Sequence, residues 1–204
     1  MLPGSLQDEI TLPDGTAVVV RPITPDDAAA LVALHARLSA DTIYRRYFGA
    51  RPHLSPADVD RFTRIEGRVR FALVAERSGD LVGVTRYEGR PGETSAELAV
   101  VVDDALQRQG LGRLLLGRLV DVARIAGLEV LVADVLAGNA GMIGLLRRLG
   151  LPGRRESDGD TLTITLDLTG LELAPDRSAR ARDHLARAGV DDHHGGVVHR
   201  KEQT

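Results

Sequence analysis

The chain has 204 residues, 43% of them hydrophobic and 27% charged, which is the balance of a soluble globular domain. The absence of cysteine excludes disulfide scaffolds, zinc fingers, iron–sulfur sites and thiol catalysis, while a net charge of −3 with 3% aromatic residues offers nucleic acid or an anionic membrane no broad basic or stacking surface. Of the 26 basic residues, Lys201 is the single lysine and the rest are arginines; coding bias accounts for this, although guanidinium groups also suit phosphate ligands.

The first twenty residues carry acids and prolines where a signal peptide needs a basic start and an apolar run, and no stretch reaches spanning length, so a cytoplasmic protein is expected. Residues 9–12 and 17–21 are β-prone runs flanking Pro13-Asp14-Gly15, which reads as a hairpin. Thr24-Pro25-Asp26-Asp27 then supplies a cap, a proline and an acid for a helix over 28–38, and Ser55-Pro56-Ala57-Asp58 repeats that signal for a helix to about 64. Between them, residues 41–48 place three of the chain's six aromatics beside Arg45 and Arg46.

Runs 71–76 and 81–87 read as strands joined by Ser78-Gly79-Asp80. Residues 98–102 form a continuous apolar run that suits a strand buried on both faces. A glycine-containing turn over 107–113 follows, then a leucine-rich helix to about 126 with Gly127 after its end. A second buried strand is predicted over 129–135, then a helix capped by Asn139 and stopped at Gly150, and finally a hairpin turned at Gly159 into the alternating run 161–168. Past Leu171 no sustained apolar stripe remains, so residues 171–204 are expected to be a polar, largely disordered tail with at most a short helix over 178–188, after a domain spanning 9–170.

The chemistry concentrates at Gln107-Arg108-Gln109-Gly110-Leu111-Gly112-Arg113. Glycines that open a helix directly after a strand bring unpaired backbone amides and the positive end of the helix dipole to an anion. A dinucleotide fingerprint would need glycine where Leu115 stands, and a P-loop needs Gly-Lys-Ser/Thr, so both fail. A turn with only a packing role remains open on spacing alone.

Residues 102–112 resemble the acyl-CoA signature, Gln/Arg-x-x-Gly-x-Gly/Ala, of the GNAT N-acetyltransferase superfamily. Element order from 18 to 168 is similar to that fold: an α/β (α+β) domain with a mixed, mostly antiparallel central sheet flanked by helices. Asp14-Gly15-Thr16, Arg21 to Asp27, Leu38-Ser39 and Tyr44 to Phe48 more narrowly resemble the acetyltransferase domain of bacterial protein-lysine acetyltransferases that modify acyl-CoA synthetases. In larger members that domain is fused to a cyclic-nucleotide-binding or acyl-CoA-synthetase-like module, for which 204 residues leave no room.

The resemblance implies acetyl transfer from acetyl-CoA, as cosubstrate and without a metal, to a primary amine by direct attack. In the family pattern Val100, Val101 and Val102 belong to the strand that pairs with the pantetheine arm, Gln107 to Arg113 would hold the pyrophosphate, and Asn139 starts the next helix. Glu97 matches the general base; an acid beside a buried strand has its pKa raised by desolvation, as deprotonating an ammonium requires. Leu146 stands where many relatives carry a tyrosine as general acid, leaving water, Tyr44 or Tyr47 for that role. His35 reads as structural, and His193-His194 as at most an adventitious metal contact. Arg177, Arg180, Arg182 and Arg187 beside Asp176 and Asp183 read as a solvated face. The expected acceptor is a protein lysine, with an acyl-CoA synthetase as partner; a small amine, or a silent acyl-CoA-binding regulatory module, are the alternatives.

Overall fold

The structure, a computed structural model, describes residues 8–190. The predicted hairpin consists of β1 (Asp8–Thr11) and β2 (Ala17–Pro22), its turn closed where the Asp14 carboxylate accepts the Thr16 amide and hydroxyl, both at 3.0 Å. A short 3-10 turn, Pro25–Asp27, leads into α1 (Ala28–Arg37), and the Asp27 carboxylate accepts the Thr24 amide at 2.7 Å. α3 (Pro56–Thr63) starts at the reciprocal Ser55–Asp58 box, with 3.0 Å and 3.1 Å bonds. The middle of the chain forms β3 (Arg70–Arg77), β4 (Asp80–Gly89) and β5 (Ser95–Val102).

After β5 come α4 (Leu111–Ile125), β6 (Val130–Leu136), α5 (Ala140–Arg147), β7 (Gly153–Asp158) and β8 (Thr161–Asp167). Two helices differ from expectation. α2 (Ala40–Tyr47) occupies the segment that carries no helical alanine–leucine run; Ser39 caps it by accepting the Thr42 amide at 3.2 Å. α6 (Pro175–Arg187) lies in the stretch read from composition as a largely disordered tail: Ala181, His184 and Leu185 are buried, and Arg177 pairs with the buried Asp121 of α4 rather than belonging to a solvated face. A narrow apolar strip and the Arg177–Asp121 pair help to dock this helix where a broad stripe is lacking. His193, His194, His199 and Lys201 lie outside the described residues.

The eight strands run β1-β2-β3-β4-β5-β6-β8-β7, all neighbours antiparallel except the β5–β6 pair. β3 is covered on both faces: Phe71, Leu73 and Ala75 join a core with α4 and α6, while Ala72 and Val74 join a second core with α1 and α3. The fold is thus a mixed, mostly antiparallel sheet between two helical layers.

Burial on β5 differs from the two-faced burial its apolar run suggests. Glu97 is exposed and Val100 and Val101 are half-buried. β6 covers only the start of β5: the parallel register joins Ser95, Ala96 and Glu97 to Val130, Leu131 and Val132 and ends there, while β4 stays paired with β5 to Val102.

Candidate functional site

Because β6 follows β8 from Val130 to Leu136 while β5 follows β4, the two strands part after Glu97. Parting leaves the 98–102 backbone without a strand neighbour on one side, in a cleft at the carboxyl ends of parallel strands, where α/β sheets take ligands. Each strand leads into a helix that begins beside this mouth. The first turn of α4 packs against the second turn of α5 and the end of β5: a Cβ placed on Gly112 would lie 3.2 Å from Leu145 Cδ2 and 3.8 Å from Val102 Cγ2.

The 107–113 turn is held by its own side chains. Gln107 Nε2 donates to the Val102 carbonyl, Thr42 Oγ1 and Asp104 Oδ1, all at 3.2 Å, and Gln109 Nε2 donates to the Ala105 carbonyl at 3.0 Å. Both glutamines therefore shape the turn, and Leu111 is fully buried, so its contribution to a ligand is restricted to its backbone. Gly110, at φ +93°, is the left-handed residue from which α4 departs. The first amides of α4 are left without intrahelical partners. Arg108 and Arg113 are exposed and form no ion pair among the described residues, so both guanidiniums are free to meet phosphate oxygens.

One connection was not legible in the sequence. Asp104 accepts the Ser39 amide at 2.8 Å, the Ser39 hydroxyl at 2.9 Å and the Thr42 hydroxyl at 2.6 Å, tying the start of α2 to the connector before the turn. Burial raises the Asp104 pKa, but these donors outweigh it and hold the carboxyl below its usual range.

Alternation along the strands puts Glu97, Ala99 and Val101 of β5 on one face with Val84, Arg86 and Glu88 of β4. Glu97 stands opposite Glu88. Glu88 is neutralised by Arg61 at 2.8 Å and Arg70 at 3.0 Å, whereas Glu97 forms no ion pair among the described residues and feels Arg46 of α2 through space. Beside it lies a pocket lined by Leu34, Leu38, Tyr47, Phe62, Arg86 and Val100 among others. Tyr47 is sandwiched, with Arg46 Cζ 4.9 Å and Arg51 Cζ 4.8 Å from its ring centroid. Tyr44, 51% exposed, is not part of this wall.

Asn139 accepts the Met142 amide at 3.1 Å and so serves as the cap of α5. Leu146 is buried in the larger core and supplies no proton donor. His35 is buried, with Nε2 2.8 Å from the Arg51 carbonyl, and holds α1 to the segment before α3. Among the described residues no group of three or more His, Asp or Glu is close enough to hold a metal, and no helix is long and apolar enough to cross a membrane.

The model of the acetyltransferase (GNAT) family matches residues 38–151. The Pseudomonas aeruginosa acetyltransferase PA5475 is 34% identical over 76% of this chain and 85% of that protein. The L-methionine sulfoximine/L-methionine sulfone acetyltransferase of the same organism is 38% identical over 57% of this chain and 73% of that protein. Among solved structures, the GNAT domain of S. lividans PAT superposes with a TM-score of 0.74 at 32% identity, over 82% of this chain and 99% of that domain.

Proposed function

The chain belongs to the GNAT acetyltransferase family, and from that membership we propose that it moves the acetyl group of acetyl-CoA to a primary amine by direct attack, with Glu97 as general base. The observation that carries this reading is the parting of β5 from β6 immediately after Glu97. It leaves the side of the Val100–Val102 backbone turned away from β4 open to the pantetheine arm, apart from the Val102 carbonyl that Gln107 occupies, and puts a carboxylate at the apex of the cleft. The 107–113 turn fits a pyrophosphate: backbone amides at the start of α4, with Arg108 and Arg113 unpaired beside them.

In the step itself Glu97 takes a proton from the incoming ammonium, directly or through one water. The amine nitrogen then bonds to the thioester carbon, and the carbon–sulfur bond breaks. Backbone amides of β5 stabilise the charge that develops on the thioester oxygen. The attacking nitrogen sheds its second proton as the amide forms and the departing thiolate takes one up; with Leu146 buried, the tyrosine in the pocket wall, Tyr47, or a water supplies the thiolate's proton and is reprotonated through solvent. Asn139 fixes the start of α5 through its Oδ1 and stands beside the cleft as a candidate cofactor contact through its amide nitrogen.

The acceptor we favour is a protein lysine, supported by the likeness to the PAT domain and by the 14–27 and 38–48 segments; an acyl-CoA synthetase is the partner to try first. A small amine is the second reading, favoured by the relative named for an amino-acid substrate. Titration with acetyl-CoA, then measurement of free CoA released with an acyl-CoA synthetase or with an amine panel, tests both. No binding of acetyl-CoA refutes the transferase reading, and binding without CoA release for any acceptor leaves a silent acyl-CoA-binding module.

A further inference from the structure

Arg86 is a buried cation on the Glu97 face that forms no ion pair among the described residues. It is 6% exposed in the middle of a central strand, its Cζ lies 3.7 Å from the Phe62 ring centroid, and its Nη1 is buried without a hydrogen-bond partner among the described residues. A buried guanidinium normally has a carboxylate partner. The other arginines projecting from β2–β4 on this face follow that rule: Arg21 binds Asp27 and Glu76, and Arg70 binds Glu88.

Glu88, two residues along β4 on the same face, would be the natural partner of Arg86, but it is occupied by Arg61 and Arg70. The Glu88 charge still reaches Arg86 through space, but a second cation, Arg46, acts on it more strongly. Burial, reinforced by the Arg46 charge, pushes the Arg86 pKa down to about 9. Both arginines line the same pocket, together with apolar side chains from α1 and Phe62. A pocket with two guanidiniums, one of them unpaired and desolvated, is electrostatically complete only with an anion inside it.

We propose that the acceptor carries a carboxylate that docks against Arg86 and Arg46, with its amine at Glu97. This rests on the acetyl-transfer reading and narrows its substrate class. Arg86 stands opposite Ala99, two residues from Glu97 along β5 and on the same face. Diagonal neighbours of this kind are roughly 7–8 Å apart, a span that one acceptor bridges. A cationic wall at one end and a carboxylate at the other match a molecule that is anionic at one end and carries an ammonium at the other. The carboxylate comes either from an amino acid or from an acidic residue flanking an acceptor lysine.

The test uses matched acid and amide pairs with the full chain: L-methionine sulfone against its carboxamide, and a lysine peptide flanked by glutamate against the same peptide flanked by glutamine. Turnover is read as CoA release and product mass, and binding by calorimetry on the enzyme–CoA complex. The acid member of at least one pair should be preferred by on the order of 10- to 100-fold in kcat/KM, as losing a hydrogen bond to a buried charge implies. Arg86→Met should bring that preference close to parity, mostly through KM, with acetyl-CoA affinity unchanged. Its Tm should hold or rise, because an unpaired buried charge is removed; Arg46→Gln should reduce the preference partially. Acid and amide turned over equally by the unmodified enzyme overturn the proposal and leave the transferase standing, as does a preference that survives both substitutions. Acid-selective binding abolished by Arg86→Met but without turnover of any pair upholds the anion site and refutes the transferase. Absence of both binding and turnover in every pair overturns the proposal.

Discussion

Replacing Gly110 and Gly112 by alanine, one at a time, should separate two different reasons for glycine in one turn. At Gly110 the backbone is left-handed, φ +93° and ψ −14°, while a Cβ would meet nothing nearer than Pro13 Cδ at 3.7 Å. The cost is therefore conformational, about 1–2 kcal/mol for an L-residue in this region. Gly112 lies inside the first turn of α4 with helical geometry, where alanine gains about 1 kcal/mol of helix propensity. Its Cβ would sit 3.2 Å from the terminal methyl of Leu145, which rotates away at a cost that cancels much of that gain. At roughly 2–4 °C per kcal/mol for a domain of this size, Gly110→Ala should lower Tm by about 2–8 °C and Gly112→Ala should change it by no more than about 2 °C. Differential scanning calorimetry reads the first quantity, and acetyl-CoA titration reads the second: affinity should fall in Gly110→Ala, whose amides are displaced, and hold in Gly112→Ala. Equal losses at the two positions would refute the reasoning.

Glu97→Gln should lower kcat by about 10²–10⁴-fold, the usual yield of a general base, with acetyl-CoA affinity held within about threefold; turnover equal to that of the unmodified enzyme removes Glu97 from the mechanism. Arg177→Met leaves the buried Asp121 carboxylate without its partner. Breaking a fully buried pair costs about 3–5 kcal/mol; because the Arg177 side chain is 41% exposed, about 2 kcal/mol is expected here, with earlier hydrogen exchange in α6. Retained stability would mean that the Arg177–Asp121 pair does not hold α6. For Asp27, burial raises the pKa, but bonds from Arg21 and Thr24 outweigh it and hold the carboxyl below the usual range. A folded pKa below the unfolded one contributes stability above about pH 4 that is lost as pH falls further. Urea midpoints at pH 7 and pH 3 should therefore converge in Asp27→Asn relative to the unmodified chain, and an identical acid slope would contradict the assignment.

Local chemistry made much of the fold legible. Ser55 and Asn139 announce helix starts because a short side chain accepts an amide three residues on, Thr24 because its amide and hydroxyl both donate to the Asp27 carboxylate, and Gly127 and Gly159 mark reversals because both adopt positive φ. α2 escaped because its stability is nonlocal: Asp104, 62 to 65 residues further along the chain, fastens its first turn to the β5–α4 connector. α6 escaped for a similar reason, since the partner of Arg177 is Asp121, 56 residues away. At the site, the turn was readable from glycine spacing, but the cleft depends on how far two distant strands stay in register. Arg86 carried a signal, a lone charge inside the apolar run 81–87, yet its significance depends on Glu88 being occupied by Arg61 and Arg70, which only the folded sheet shows.

The single lysine also bears on how such a site avoids reacting with itself. An activated thioester acetylates any neutral amine held against it, and a guanidinium, whose nitrogen lone pairs are delocalised over the planar group, offers none. Every cation assigned to the cleft and pocket, Arg46, Arg86, Arg108 and Arg113, is of that inert kind. Arg46 is the informative one to change, because burial already lowers its pKa and Glu97 is within its field. A lysine there starts from about 10.4 and shifts readily on desolvation, so Arg46→Lys should present a partly neutral amine beside the proposed base. Incubated with acetyl-CoA, this variant should gain one acetyl mass, mapped by peptide analysis to position 46, and Glu97→Gln in the same chain should suppress it. Arg64→Lys, at a surface position paired with Asp60, should stay unmodified over the same period. Equal labelling at both positions would mean ordinary chemical acetylation, and no labelling at position 46 would place the thioester elsewhere than at the apex of the cleft.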